Sequence, residues 1–532
     1  MRLNRRDFIK ASAVMCCAMS NRGANGSEGR LREYHVCLSR RACEENPELL
    51  TVVRDAGVTD VWQAAFFYGY WYDTVEGLQK GRAQVESLGL RWHPINVPLG
   101  HPGDALGDAS GQTPLTPPAR WKMAERFDGG KHSGTSLHDP GTAENVAAVQ
   151  ALAALEPDIL FLDDDFRLAV GPGIIGGCFC GEHRAQFLQA TGFAESAWDE
   201  LREDALARRL SRVLRAWVEF TCDQLTACFR AQQAAAPNTR LGNMIMYLGA
   251  EKAGIRLTDY RDAPFRVGEL MFNDASFNPL KGKTDELFSV LFHRRYARPE
   301  SAWSETTAFP ADQLSARNLA AKLATSTIAD VRHTMFMSGM TPFPIEHWAT
   351  IGPAMTKHAR LHARLAGHAP KGPFKHYWGE AQRYVGDDQP YSLFLASGMP
   401  FETVETLPDD GRTFLSDFDA RALEESSLKP GKGALVTRRA LAKMPEATQA
   451  VGEELPALFA LKRQVVQEGY TGPWVEDDKP AVCAWYPSAG AVLLWNPSEG
   501  RESYHLRAGD TAVDVEVEGL DAELVEMPQL RR

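Results

Sequence analysis

Between residues 34 and 338, short apolar runs alternate with stretches of helical period, and they do so eight times. The runs are 34–38, 58–64, 90–97, 159–162, 240–247, 266–274, 301–306 and 334–338. Helix-like segments lie between them, at 46–56, 73–88, 142–155, 182–191, 197–235, 284–296 and 314–331. A strand that is followed by a helix and then by another strand returns parallel to the first, because a parallel pair needs a long crossover. Eight such units predict an α/β chain with a (β/α)8 TIM barrel. A doubly wound open sheet is the competing fold. No glycine-rich phosphate loop follows the first strand, which argues against that fold.

The chain has 532 residues, enough for two to four domains. Past the barrel the pattern changes. Helix-like runs at 391–397, 440–443 and 450–467 mix with strand-like runs at 401–405, 412–416 and 433–436. They predict a small α/β domain of flavodoxin-like type over 366–475, after a barrel over 31–365. Short alternating runs from 481 to 527 predict a β-domain over 476–532. The net charge of −11 argues against nucleic acid as a partner. No apolar run is long enough to span a bilayer.

Residues 1–30 read as an address rather than as structure. Asn4-Arg-Arg-Asp-Phe-Ile-Lys10 follows the twin-arginine export pattern, with a weakly apolar stretch and then a polar one behind it. The expected location is the periplasm or the cell exterior. Seven cysteines remain after that segment, an odd number with no spacing that suggests a disulfide framework. Cys178-Phe-Cys180-Gly-Glu-His183 could hold zinc, but a fourth ligand is missing from the local sequence, and no metal or cofactor is assigned.

The chemistry concentrates in Asp158-Ile-Leu-Phe-Leu-Asp-Asp-Asp-Phe-Arg167. A buried strand runs straight into three acids, at the strand end where barrels carry chemistry. Alternation along the strand points Asp163 and Asp165 one way and Asp164 the other. Arg167 is the cation expected to pair with one of them. Two other strand ends supply carboxylates: Glu305 in Ser304-Glu-Thr-Thr307 and Asp274 in Met271-Phe-Asn-Asp-Ala-Ser276. An Asx turn is the bland role for Asn273 and Asp274. Acids on different strand ends can flank one scissile bond, one protonated and one ionised. Aromatic residues offer faces for sugar rings: Trp62, the 66–72 run with Tyr68 and Tyr70, Trp303 before Glu305, and His347 with Trp348 after the last strand. Ordinary core packing is the competing role for Trp62 and Trp303.

Phe161-Leu-Asp-Asp-Asp-Phe-Arg-Leu168, followed by Gly177-Cys-Phe-Cys-Gly-Glu-His183 and a helix, is similar to segments of barrel glycoside hydrolases. The order of barrel, α/β domain and β-domain resembles family 42 β-galactosidases. That resemblance implies a glycosidase acting on an oligosaccharide or glycoside, without cofactor, and an α/β domain that builds a homo-oligomer. It also implies a Glu nucleophile at the end of strand seven, which Glu305 supplies. In that clan the acid/base is a Glu preceded by Asn at the end of strand four. Here Asp164 or Asp165 fills the role by position only. Three alternatives stay open. One is an α-galactosidase-type arrangement with a strand-four Asp nucleophile and Asp274 as acid/base. Another is a metal-dependent hydrolase using Asp163 and Asp165 with His35 or His93. The third is a non-catalytic sugar-binding barrel.

Overall fold

The computed structural model describes residues 31–99, 117–132, 135–163, 166–169, 171, 173–245, 248, 250–268, 271–425, 428, 433–443 and 448–527. The expected export segment lies outside the described residues, as do Asp164 and Asp165.

Eight parallel strands close on themselves: β1 (Glu33–Cys37), β2 (Asp60–Phe67), β3 (Arg91–Val97), β4 (Ile159–Leu162), β5 (Arg240–Ile245), β6 (Phe265–Gly268), β7 (Ala302–Thr307) and β8 (His333–Met337). β1 pairs with both β2 and β8, and this closes the barrel. The period of two along each strand divides the side chains. In β4, Leu160 and Leu162 face outward to the helices, while Ile159 and Phe161 face inward. Inside, Phe161 meets Trp62 and Trp303 at ring-centroid distances of 4.9 and 5.5 Å. This aromatic layer fills the barrel at mid-height.

Below it, toward the strand starts, lies a polar floor. Asp60 accepts from His93 Nε2 at 2.7 Å and from Arg91 at 2.7 Å. Trp62 Nε1 donates to His35 Nδ1 at 3.2 Å, and His35 Nε2 meets His333 Nδ1 at 3.1 Å. Burial pushes the His35 imidazole down to about 3, so it is neutral at physiological pH.

Several element boundaries differ from expectation. Among the described residues the sixth strand covers Phe265–Gly268, and Asp274, expected as its end, begins a helix at Asp274–Phe277. The single helix expected over 197–235 is two, Ala197–Ala207 and Arg212–Ala235. Arg208 adopts a left-handed conformation (φ 51°) and Ser211 caps the second helix. No helix forms at 440–443. The aromatic run at 66–72 is a hairpin rather than an open loop. Tyr68 and Gly69 turn with φ of 34° and 99°, and Tyr70–Trp71 pairs back on Phe66 and Phe67.

Five parallel strands follow: β9 (Phe374–Tyr377), β10 (Phe401–Val404), β11 (Arg412–Leu415), β12 (Ala434–Thr437) and β13 (Thr448–Ala450). Their order is β10-β9-β11-β12-β13, the 2-1-3-4-5 order of the flavodoxin-like sheet. The chain ends in two three-stranded antiparallel sheets. One holds β14 (Pro473–Val475), β17 (Glu502–Ala508) and β18 (Thr511–Val517). The other holds β15 (Val482–Tyr486), β16 (Ala491–Trp495) and β19 (Ala522–Glu526). Val475, Cys483, Leu494, Tyr504 and Leu506 share the core between them. Residues 473–475 were expected in the α/β domain; pairing with β17 places them in the β-sandwich.

The α/β sheet holds on to the barrel beyond β5. Trp378 Nε1 donates to the Leu248 carbonyl at 3.1 Å, and the buried Lys252 ammonium donates to the Gly386 carbonyl at 2.6 Å. Lys252 in turn abuts the strand-four loop, where the Gly176 amide donates to its carbonyl at 2.8 Å. A Cβ at Gly176 would lie 2.5 Å from the Leu168 carbonyl oxygen, so only glycine allows this approach.

Candidate active site

Above the aromatic layer, at the strand ends, two carboxylates and one guanidinium meet. Asp163 follows β4, and its backbone amide donates to the Asn96 carbonyl at 2.6 Å, which carries the strand one residue past its formal end. Glu305 lies in β7 and faces inward by the same alternation that turns Trp303 inward. Thr307 Oγ1 donates to Glu305 Oε1. Arg266 enters from β6. Its Nε lies 2.9 Å from Glu305 Oε2, and its Nη2 contacts Asp163 Oδ1. All three residues are buried. The other sides of the guanidinium meet the sulfurs of Met335 and Met244 at 2.8 and 3.0 Å and the Phe161 ring at 5.6 Å.

Asp163 and Glu305 therefore share one mouth, as their positions predict. The cation between them is Arg266; Arg167 was expected to pair with one of the three strand-four acids, two of which lie outside the described residues. The available signal was a charged residue at an inward position of a four-residue strand, Phe265-Arg-Val-Gly268. Arg167 is buried in the loop that follows.

Asp274 does not join this pair. Its Oδ1 accepts from the Ser315 amide at 2.9 Å and from Asn318 Nδ2 at 2.7 Å, at the start of the helix Ala316–Ile328. Asn273 caps its own short helix in a reciprocal box with Ser276. These are structural roles, and they count against the arrangement that pairs strand four with strand six. His35 and His93 belong to the floor, on the far side of the Trp62 ring from Asp163. His93 stacks on that ring at 4.5 Å. Among the described residues, neither converges with Asp163 in a group of metal-ligating atoms.

Trp62 and Trp303 are barrel filling, with Trp303 stacked on His333 at 3.9 Å. Trp348 is buried against Phe336 and Phe343, on the outer side of β8, so it offers no platform at the mouth. His347 ends a 3-10 turn beside it. Tyr68 is buried beneath its hairpin and Tyr70 is half-buried. The exposed ring of that hairpin is Trp71, at 41%.

A second cluster lies beyond the strand-four loop. His138, Cys178, Cys180 and His183 are all buried, and their ligand atoms lie within 4.8 Å of one another. His138 Nε2 is 3.5 Å from Cys178 Sγ and 3.8 Å from Cys180 Sγ; His183 Nδ1 is 3.3 Å from Cys180 Sγ. Tetrahedral zinc with bonds of about 2.0 Å to nitrogen and 2.3 Å to sulfur sets such atoms about 3.5 Å apart. The donor set and spacing fit zinc, and His138 is the fourth ligand that the local sequence lacked. Four protein ligands leave no open position, so zinc here would fasten loops rather than activate water. Glu182 Oε2, 3.4 Å from His138 Nδ1, supplies the outer carboxylate such histidines use. Glu33, His35 and His333 also converge, but the Arg91 guanidinium, 2.7 Å from Glu33, places a positive charge there.

No family model matches this chain, and no curated protein matches its sequence. Its structure does match solved ones. The β-galactosidase of the Antarctic haloarchaeon Halorubrum lacusprofundi aligns at TM-score 0.59 and 12% identity, over 93% of this chain and 99% of that one. A family 42 β-galactosidase from G. stearothermophilus aligns at TM-score 0.57 and 9% identity, over 94% and 98%. The β-galactosidase of the psychrophile Marinomonas ef1 aligns at TM-score 0.55 and 10% identity, over 92% and 99%. At such identities the likeness speaks for architecture, from the closed barrel to the last sheet: this chain has the fold of the family 42 β-galactosidases.

Proposed function

We propose that the protein is a glycoside hydrolase in which Glu305 is the nucleophile. The observation that supports it best is the position of Glu305: a buried carboxylate at the carboxyl end of β7, turned into the barrel mouth and facing Asp163 at the end of β4. In the reaction proposed, the Glu305 carboxylate attacks the anomeric carbon as the glycosidic C–O bond breaks. The leaving oxygen takes a proton from Asp164 or Asp165, the next two residues of the sequence after Asp163. Water then releases the sugar from Glu305, with the same Asp now accepting a proton.

Aryl β-galactosides are the first substrates to try, because the structural relatives are β-galactosidases; other aryl glycosides follow. Glu305→Gln keeps the side chain's shape and removes its charge. Turnover should fall by about a thousand-fold or more while the melting temperature stays close to that of the parent. A folded Glu305→Gln variant with parental turnover would end this reading. A parent inactive on the whole panel that still binds sugars would favour the non-catalytic barrel.

A further inference from the structure

We infer that Arg266 is the positioning residue of this site: it aims Glu305 and balances its charge, and Asp163 anchors the guanidinium from the opposite strand. The inference rests on Glu305 as nucleophile, and it assigns work to two residues that the reaction itself does not consume.

The geometry carries it. Arg266 is fully buried, with Nε toward Glu305 Oε2 and Nη2 toward Asp163 Oδ1. Its remaining surroundings are soft or apolar: Met335 Sδ from β8, Met244 Sδ from β5 and the Phe161 face from β4. A buried cation is costly unless carboxylates match it, and removing one member of such a group leaves the others uncompensated. Among the described residues, no other cation lies within ion-pair distance of Glu305. Cys37 of β1 is a titratable group that senses both Glu305 and Arg266. Burial pushes its thiol up to about 12, so it carries no charge near neutrality. Among the described residues, the charges beside Glu305 are those of Arg266 and Asp163.

Arginine suits the task because its planar fork can hold two carboxylates in fixed directions and stays protonated at any working pH. Thr307 Oγ1 hydrogen-bonds one oxygen of Glu305, and the Arg266 guanidinium lies in ion-pair contact with the other. Asp163 is engaged by the same cation, which makes it an anchor rather than the proton donor. The donor is then left to its neighbours, Asp164 or Asp165.

The test uses the full-length protein, an aryl glycoside that it cleaves, and the variants Arg266→Met, Arg266→Lys and Asp163→Asn. Melting curves establish that each is folded. In Arg266→Met, kcat should fall by about a hundred-fold or more with KM changed by no more than about three-fold. The acid limb of its kcat/KM profile should move up by about one pH unit, because a carboxyl that loses an adjacent cation takes up a proton more readily. Arg266→Lys restores the charge but not the fork. Its acid limb should return toward that of the parent while kcat stays low. Asp163→Asn should lower kcat without moving the acid limb upward.

A folded Arg266→Met variant with the parental acid limb would overturn the inference. If that variant does not fold, parental kcat in Arg266→Lys would overturn it instead. Loss of activity in Glu305→Gln combined with an unmoved limb in Arg266→Met would remove the role of Arg266 alone. Parental turnover in Glu305→Gln would remove the reading beneath it.

Discussion

At the scale of single residues, the two clusters differ in what they need from their neighbours. The carboxylates sit at strand ends, where a short periodic run already tells which way a side chain points. Asp163 and Glu305 were legible for that reason. Arg266 was not, because nothing local distinguishes an arginine that bridges two strands from one that snorkels to solvent. His138 was hidden by distance, since it lies 40 residues before Cys178 and reaches it only after the strand-four loop has folded back. A measurement follows from the second cluster. Purified protein should carry one zinc per chain by elemental analysis, and cobalt in its place should give the intense visible bands of a tetrahedral thiolate site. His138→Ala should lose most of the metal and lower the melting temperature. Metal-free protein that neither melts lower nor takes up cobalt would rule the site out.

At the scale of elements, the barrel was readable because each strand is a short buried run bounded by helix signals. Where the reading missed, a cap or a turn had intervened. The segment expected as a long sixth strand does not reach residue 274, because Asn273 and Asp274 serve helix starts instead. Hydrogen-bonding side chains of this kind compete with the ladder and win where an unpaired helix amide is near. The expected helix over 197–235 breaks for a related reason, with Ser211 accepting from the Leu214 amide to begin a new one. Replacing Asp274 by Ala should therefore cost about 1 kcal/mol of stability, read from denaturant midpoints, through the lost bonds to Ser315 and Asn318. Activity should stay within about two-fold of the parent at a temperature where both are folded. Abolished activity in a stably folded Asp274→Ala variant would restore the pairing of strand four with strand six.

At the scale of the whole molecule, stability should depend on pH in a definite direction. His35 in the barrel floor and the buried His293 are held at about 3 and about 4, both chiefly by burial. Unfolded, each would titrate near 6.5. The unfolded chain therefore binds more protons as pH drops below about 6.5, and it is favoured step by step until the folded imidazoles also titrate. Glu33, held at about 2 against burial by its hydrogen bond to His333 and by Arg91, extends the loss to lower pH. Thermal melts should fall steadily from pH 7 to pH 4.5; a flat profile across that interval would contradict the buried neutral histidines. The same floor has a second consequence. With Trp62, Phe161 and Trp303 closing the barrel at mid-height and the histidine layer sealing it beneath, the interior is a blind well and not a tunnel. On the proposed reading, a group held at Glu305 has no passage through the aromatic and histidine layers beneath it, so arrival and departure would both take place on the strand-end side.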